Sequence, residues 1–339
     1  MLQSLRGTVR KNAFSIYRGG TFLKFFKTLD EQIQLLRGRN LIIEDEEFAK
    51  NYLLSSNYYN IINGYSKYFP RVDENYSSGT TFEEVAMLYL FDKELKQTFF
   101  KAIIDVESHL KSIFAYRFAE SFPNKAYAYL SVECYDRTKI LSVISTISRL
   151  SQIINRQQKY QNTSINHYVN RHNDVPIWVL VDYLDFGELR NMLTSSSSSL
   201  QNKVAKDLYG FVKQHFPDAG IFPPEIMSSF VENINEVRNV CAHNNRLLDF
   251  QCRRDCKYWT DLHSHYEINA NDQRRSIFSV FISMQCFLSR KEYFTLHNTV
   301  LKLMRSHLEK SLKTISPSVI LSALGFPENW HKVTDKLRL

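Results

Sequence analysis

The chain has 339 residues, 44% of them hydrophobic, and carries a net charge of +8. This length allows one large domain or two ordinary ones, and the small numbers of Gly and Pro, ten and eight, favour helices. The positive charge suggests an anionic partner, but it does not distinguish nucleic acid from an anionic membrane or an acidic protein. Abundant aromatic residues, which can stack on bases, favour nucleic acid.

Cysteine spacing and hydropathy indicate the compartment in which the protein works. The five cysteines form no even disulfide framework, which fits a reducing cytoplasm. The N-terminus lacks the long apolar core of a secretory signal, and no uncharged apolar run approaches the ~20 residues of a membrane span. We therefore expect a cytoplasmic protein with no membrane partner.

The chain begins with a basic segment and continues with two short predicted helices. Residues 1–26 hold Lys and Arg but no acid, as in a surface arm or an arm that contacts phosphates. A helix is predicted over residues 28–37, with Asp30 as its cap. A second helix is predicted from about Glu44. The aromatic-rich segment 57–69 is predicted to be core rather than an exposed base-stacking platform.

The longest predicted helix follows a polar loop at 71–81. It runs from Phe82 to about Phe118, because apolar residues recur along it at helical spacing. Glu107 and Lys111 are four residues apart in this helix, so they are predicted to pair on one face.

The remaining predicted helices are separated by polar, Ser-rich or Pro-rich segments. These helices are expected at 138–158, at 177–193, from about Pro224, at 274–289, at 296–312 and at the C-terminus. The polar segment 157–174 is predicted to be a loop, and the Ser-rich tract 194–199 a flexible linker or a mobile loop. The segment 216–224 contains three prolines and separates two elements.

Helical projection divides the segment that begins near Pro224 into two faces, at about 100° per residue. The apolar face contains Phe230, Ile234, Val237 and Cys241, and the polar face contains Glu232, Glu236, Asn239 and His243. Arg238 falls on the flank of the apolar stripe, where burial without a partner costs several kcal/mol. We therefore predict that Arg238 either meets a carboxylate or backbone acceptor inside the protein or lines a cleft.

Arg238 and His243 are the candidate catalytic residues. An Arg and a His held close together can bind one phosphodiester, stabilise the developing charge and assist proton transfer. An Arg and a His at this spacing are also common by chance, so the pair alone does not establish a site. The residues around the pair decide its interpretation.

Those residues carry a resemblance to a known superfamily. The sequence Arg238-Asn239-Val240-Cys241-Ala242-His243 resembles the Arg-Asn-x-x-Ala-His motif of the HEPN superfamily of helical-bundle ribonucleases. Upstream blocks are similar to the Abi family of bacterial abortive-infection proteins. These blocks are Leu29-Asp30-Glu31-Gln32-Ile33-Gln34-Leu35-Leu36, Leu41-Ile42-Ile43, Tyr52-Leu53, Asn57-Tyr58-Tyr59, Gly64-Tyr65, Pro176-Ile177-Trp178-Val179-Leu180 and Phe186-Gly187-Glu188-Leu189. The resemblance covers roughly residues 25–250.

The resemblance implies an all-α fold and a role in defence against phage. The fold would be a HEPN-type helical bundle core with additional N- and C-terminal helices. The chain would then consist of a basic N-terminal arm (1–26), an Abi/HEPN helical domain (27–260) and a C-terminal helical extension packed on the same core (261–339).

The resemblance also implies the site residues and their chemistry. Cleavage would need no metal or other cofactor: the ribose 2′-OH attacks the adjacent phosphate, giving a 2′,3′-cyclic phosphate and a 5′-OH end. Arg238 would stabilise the pentavalent phosphorane, His243 would act as general acid or base or orient the phosphate, and Asn239 would support the pair. Arg246 is either the residue that binds a neighbouring phosphate or an ordinary surface Arg.

RNA is therefore the expected partner, as substrate or as an inhibitory small RNA. Sites of this superfamily are usually composite, with two motifs meeting across a dimer, and this chain has one complete Arg-x4-His motif. A homodimer is therefore expected to complete the site. Two other functions stay open: a non-catalytic RNA- or protein-binding scaffold or infection sensor, and a toxin restrained by a small RNA or a protein.

A second group of residues suggests a structural zinc site. Cys252 and Cys256 precede His263 and His265, but the two histidines are only two positions apart, which departs from the common zinc-ligand spacing. Ordinary buried thiols are the favoured interpretation, and no metal is assigned.

Overall fold

The computed structural model describes residues 26–338 and, before them, the paired backbone of strands β1 (Tyr17–Arg18) and β2 (Thr21–Phe22). The described residues are mostly helical, which confirms the predicted all-α class. In this part of the chain, every helix is too short or too polar to cross a membrane. The predicted basic arm, residues 1–26, falls almost entirely outside the described residues.

The helices account for most of the described chain. In order they are α1 (Leu29–Arg37), α2 (Glu46–Ser56), α3 (Phe82–Ser121), α4 (Ile140–Gln157), α5 (Ser164–His172), α6 (Ile177–Leu180), α7 (Phe186–Ser195), α8 (Ser198–His215), α9 (Pro224–Ala242), α10 (Thr260–His263), α11 (Ile277–Ser283), α12 (Arg290–Leu303), α13 (Pro317–Leu324) and α14 (Trp330–Val333). Short π-helical segments lie at Tyr59–Asn63 and Met304–Glu309.

A small hairpin interrupts the helices before α3. Strands β3 (Arg71–Val72) and β4 (Asn75–Tyr76) pair antiparallel, within the segment predicted as a polar loop. Ile42 forms an isolated parallel bridge with Thr81.

The structure consists of two compact units, one up to Ala86 and one from Met87 onward. In the first unit α1 packs on α2, and its apolar face buries Ile33 and Leu36 completely. The predicted domain boundaries after residues 26 and 260 remain predictions.

The core of the second unit is built around the apolar face of α3. Side chains with no exposed surface recur along this helix at helical spacing: Phe91, Leu95, Phe99, Ile103, Val106, Leu110 and Phe114. Burying each such side chain stabilises the fold by about 1.5–3 kcal/mol. Helix α9 packs on α7, α8 and α11, and Phe281 of α11 contacts Phe99 at a ring-centroid distance of 6.1 Å.

The start of α1 differs from the prediction. Thr28, not Asp30, caps this helix: Oγ1 of Thr28 accepts from the backbone N–H of Glu31, and Oε2 of Glu31 accepts from the backbone N–H of Thr28 at 2.7 Å. A capping oxygen must lie one residue before the helix, and Asp30 lies inside its first turn. Asp30 instead forms an ion pair with Lys50 of α2.

Two segments predicted to be irregular are helical. The predicted loop at 157–174 contains α5, which Thr163 caps by accepting from Asn166 N–H. The predicted flexible linker at 194–199 is wrong, because it is the junction between α7 and α8. Ser195 and Ser196 are buried there, and Ser197 caps α8. Serines compete with backbone groups for hydrogen bonds, so the same composition is found in caps and in linkers.

Capping boxes also explain two shifted boundaries. The helix predicted at 177–193 is divided into α6 and α7, because Asp185 and Glu188 form a capping box at the start of α7. The helix predicted from residue 296 begins at Arg290, after a capping box between Ser289 and Glu292.

The aromatic segment 57–69 is core only in part. Tyr65 and Phe69 are buried, as predicted, whereas Tyr59 is 68% exposed. The sequence could not separate the two groups, because aromatic residues are frequent both in cores and on binding surfaces.

Two glycines should respond to the same substitution in opposite directions. Gly325 ends α13 with a φ of 77°, and a Cβ there would collide with the side chain of Ser276. Gly325→Ala should therefore destabilise the protein by about 1–3 kcal/mol. Gly210 lies inside α8 with open space around its Cα, so Gly210→Ala should stabilise by about 0.5–1 kcal/mol.

Urea unfolding of both variants beside the unchanged protein measures these differences. Equal effects of the two substitutions would contradict the close approach of Gly325 to Ser276.

Candidate functional site

Helix α9 carries the Arg-x4-His motif and is buried along one side. Pro224 occupies its first turn, where the missing N–H of proline costs no hydrogen bond. Phe230, Ile234 and Val237 have no exposed surface, as the helical projection predicted. Cys241 is half-buried, and desolvation raises the pKa of its thiol to about 12, so the thiol stays protonated at neutral pH.

The C-terminal end of α9 is a Schellman motif centred on the motif histidine. His243 is the C-cap, and Asn244 follows it with a φ of 53° in the left-handed region. The N–H of Asn245 donates to the carbonyl of Val240 at 3.0 Å, and the N–H of Asn244 donates to the carbonyl of Cys241 at 3.2 Å. This pair of bonds satisfies carbonyls that the helix end would leave open, and it sets the direction of the following loop.

A buried ion pair on α3 holds that loop in place. Asp92 and Lys96 are one helical turn apart, 0% and 4% exposed, with Oδ2 and Nζ 3.2 Å from each other. Oδ1 of Asp92 accepts from the backbone N–H groups of Leu247 at 3.0 Å and Leu248 at 3.2 Å. Nζ of Lys96 donates to Oδ1 of Asn244 at 2.8 Å. The pair therefore ties the residues after the motif directly to α3.

Arg238 lies on the flank of α9 and lines a groove of about 1040 Å³. Its guanidinium carbon is 6.0 Å from the centroid of the Phe100 ring, at the outer limit of a cation–π contact. Among the described residues, its side chain has no hydrogen bond and no ion pair. A cleft was one of the two environments predicted for this Arg, and its guanidinium is accessible to an anion there.

The groove is walled mainly by apolar side chains. One wall is the exposed side of α3, and the other consists of residues 178–182 and Arg238. Ile104, Tyr116 and Trp178 are 50%, 64% and 59% exposed along it. Large apolar groups left in water at one place are typical of a surface that a partner covers.

Charges of both signs also line the groove. Lys111 pairs with Glu107 at 2.8 Å, which confirms the predicted pair. Glu120 accepts from neighbouring cations, and Asp182 is exposed. Arg238 is thus the cation that has no acidic partner among the described residues of the groove.

The other motif residues do not line this groove. His243 and Asn239 are exposed, and Arg246 is half-buried with its Nε donating to the carbonyl of Leu248 at 3.1 Å. Five helical positions separate the Cα atoms of Arg238 and His243 by about 140° around the axis and about 7.5 Å along it. The two side chains therefore leave α9 in different directions.

The cysteine and histidine side chains of the zinc interpretation have separate partners in the structure. Sγ of Cys256 lies 3.8 Å from Nε2 of His263, but Sγ of Cys252 donates to the carbonyl of Asn233 and the ring of His265 stacks on Phe216. Burial raises the pKa of the Cys256 thiol to about 12 and lowers the pKa of His263 to about 4. Residues 26–338 contain no cluster of three or more His, Cys, Asp or Glu that could hold a metal ion.

Sequence reasoning missed the pair that holds the loop. Asp92 and Lys96 fall on the same helical stripe as Leu88, Leu95 and Phe99, all three of which are fully buried. Two opposite charges at i and i+4 on an otherwise apolar stripe are a recognisable signal of a buried ion pair. The partner of that pair, a loop about 150 residues later, is a tertiary contact that no local pattern predicts.

Residues 51–249 match the model of the family described as Abi-like protein. The match covers more than half of the chain, so the chain belongs to the Abi-like family. The match ends at residue 249, close to the predicted end of the resemblance, and α10–α14 lie beyond it. It begins at residue 51, later than the predicted start near residue 25, so the blocks at 29–36 and 41–43 lie outside the match. No curated protein and no solved structure matches the chain.

The buried pair makes a specific prediction about stability. Lys96→Met leaves the Asp92 carboxylate buried without a countercharge and should destabilise the protein by about 3–5 kcal/mol. The double variant Asp92→Asn/Lys96→Gln restores neutrality and keeps an acceptor for Leu247, so it should lose clearly less.

Urea unfolding measures both losses. The control is Lys125→Met, which removes an exposed pair with Glu133 and should cost less than about 1 kcal/mol. An equal loss in the single and the double variant would show that the charge balance at this position does not matter.

Proposed function

We propose that this protein is an abortive-infection effector that defends a bacterium against phage by cleaving RNA, with a HEPN-type site at the end of α9. The observation that carries the proposal is the position of Arg238: a guanidinium without an acidic partner among the described residues, open to a groove, in a motif of the HEPN form. Membership in the Abi-like family supports the role in abortive infection.

The proposed reaction is a transesterification within the RNA chain. The 2′-oxygen of a ribose forms a bond to the adjacent phosphorus, and the bond from that phosphorus to the 5′-oxygen breaks. The products are a 2′,3′-cyclic phosphate and a 5′-OH end, so one proton leaves the 2′-OH and one reaches the 5′-oxygen. His243, exposed at the helix end, transfers one of these protons, and Arg238 stabilises the negative charge on the phosphorane.

Asn239 and Arg246 have supporting roles in this proposal. Asn239 is exposed one residue after Arg238 and can hydrogen-bond the substrate or the partner motif. Arg246 lies on the loop that Asp92 and Lys96 hold, so its position relative to α9 is fixed before RNA binds. A preset guanidinium is suited to a neighbouring phosphate, because little is lost in ordering it.

A homodimer is the second part of the proposal. The side chains of Arg238 and His243 leave α9 about 140° apart, so one copy presents them poorly to a single phosphate. Two copies facing each other can bring the Arg of one and the His of the other together. The exposed apolar side chains of Ile104, Tyr116 and Trp178, next to Arg238, supply a surface that a second copy can cover.

Removal of either motif residue should strongly reduce the rate of cleavage. His243→Ala should lower the rate by about 10²–10⁴-fold as a lost proton-transfer group, and Arg238→Ala by about 10²–10³-fold as lost charge stabilisation. The measurement is cyclic-phosphate-specific sequencing of cellular RNA after induced expression, together with cleavage of RNA by the purified protein.

The matched controls are His172→Ala and Arg171→Ala, which remove an exposed His and an exposed Arg from the end of α5. Undiminished cleavage in the motif variants would refute the assignment. Full protection of cells by both motif variants, with RNA still bound, would favour a non-catalytic scaffold instead.

A composite site predicts how mixed dimers behave. If each site combines the Arg of one chain with the His of the other, mixing the inactive Arg238→Ala and His243→Ala chains should restore about a quarter of the wild-type activity, because about half of the dimers are mixed and each mixed dimer holds one complete site of the two. Sites formed within single chains would leave the mixture inactive. The test is a titration of purified chains, unfolded and refolded together, with their mass followed by light scattering.

Trp178→Ser provides the control for assembly. It removes a side chain that is 59% exposed and should weaken the dimer and the activity together, while the monomer stays folded. A fully active monomer would overturn the composite site.

A further inference from the structure

A second groove, of about 670 Å³, lies in the C-terminal part of the chain, which extends beyond the family match. One wall is a face of α12, and the other is the C-terminal segment 336–338. Arg238 and His243 do not line it, and neither does any other residue of α9.

Hydrogen bonds hold the two walls of this groove together. Oδ1 of Asn298 accepts from the backbone N–H of Leu337 at 2.9 Å, and Nδ2 of Asn298 donates to the carbonyl of Leu337 at 3.0 Å. Upstream, Arg305 donates from Nε to the carbonyl of His331 at 2.7 Å and from Nη2 to the carbonyl of Thr334 at 2.9 Å. The C-terminal segment is therefore a fixed wall of the groove.

The charges of this groove all have one sign. Lys291 and Lys302 come from α12, and Lys336 and Arg338 from the C-terminal segment. All four are exposed, and no acidic residue of the described chain lines the groove. The net charge of the chain does not account for this cluster of four cations. Residues 1–26 carry five of the eight net positive charges, so the remaining residues together are close to neutral.

The polar residues of α12 that line the groove share one face of the helix. Lys291, Thr295, Asn298 and Lys302 are spaced by four, three and four residues, so they form a line along the helix. The ends of this line are separated by eleven residues, or about 16 Å. Two cations at that distance, with hydroxyl and amide groups between them, match an extended chain of phosphates and sugars better than a single small anion.

We propose that this second groove binds the sugar–phosphate backbone of single-stranded RNA. Lysine and arginine contacts to phosphates give affinity without reading the sequence, and the groove presents few groups that could read base edges. Half-buried Phe294 offers one apolar surface beside the line, and the guanidinium of Arg290 lies 5.2 Å from its ring centroid. The inference rests on the proposed function, since the groove binds a part of the RNA substrate that lies away from the phosphate being cleaved.

The surface next to the second groove limits the path that the RNA strand can take. A second depression shares Lys291, Thr295 and Thr299 with the groove but also contains Asp105 and Glu292. This depression holds charges of both signs, Lys101 and Lys291 beside Asp105 and Glu292, whereas the charged residues that line the second groove are cations alone. The strand therefore follows the side of α12 that faces the C-terminal segment.

The test is RNA binding by the full chain with the groove lysines neutralised. In a His243→Ala background, which prevents cleavage, Lys291→Gln/Lys302→Gln should weaken binding of a short single-stranded RNA by roughly tenfold at moderate salt. The slope of log affinity against log salt should become shallower by about 1.4, at about 0.7 for each lost single-strand contact. Lys336→Gln/Arg338→Gln should act in the same direction from the opposite wall.

The matched control is Lys159→Gln/Lys206→Gln, which removes the same charge from exposed lysines outside the described grooves. Melting temperatures establish that each variant is folded. Unchanged affinity and salt slope in the folded groove variants would overturn the proposal. So would groove-dependent binding to anionic vesicles that exceeds binding to RNA.

The two proposals can fail separately. If no RNA is ever cleaved but the groove variants lose RNA affinity, the nuclease assignment fails and the groove stands. If wild type cleaves RNA and the groove variants bind and cleave as well as it does, the groove fails and the nuclease assignment stands.

Discussion

The ion pair between Asp92 and Lys96 is the constraint on which the candidate site depends. Both side chains are almost completely buried, so their charges are tolerated only because each compensates the other and both bond the loop after α9. Replacing the pair with apolar residues would fill the same space, but it would leave the N–H groups of Leu247 and Leu248 without an acceptor. The main role of the pair is therefore to fix the position of the loop after α9, and its contribution to the stability of the protein is secondary.

Different contacts fix the positions of the two candidate catalytic residues. Arg238 is set by the packing of α9, whose apolar side is fully buried. His243 is set by the C-cap of the same helix, and the loop behind it is set by α3. The His therefore responds to changes on α3 that leave Arg238 in place. The groove along α3 adjoins Arg238, so a partner that covers α3 contacts the same helix that anchors the loop.

The sequence predicted the helical features that depend on hydrophobic periodicity. Its predictions were wrong where short polar residues determine whether a segment is a helix cap or a loop. The buried side of α9, the length of α3 and the Glu107–Lys111 pair follow from spacing along one helix, and all are confirmed. The prediction of a linker at 194–199 is wrong, because serine caps helices as readily as it occurs in linkers. The grooves could not be predicted, since each joins residues far apart in the chain.

The long separation between α3 and the loop it holds has a kinetic consequence. Asp92 bonds the N–H groups of residues 155 and 156 positions later, so the loop cannot take its final position until α4–α9 have been synthesised and packed. Contacts across such a distance form late, because the entropy of closing the intervening chain is lost before the contact stabilises it. A nascent chain on the ribosome would thus carry an unassembled candidate site, and the proposed activity would begin only after the chain has been completed and folded.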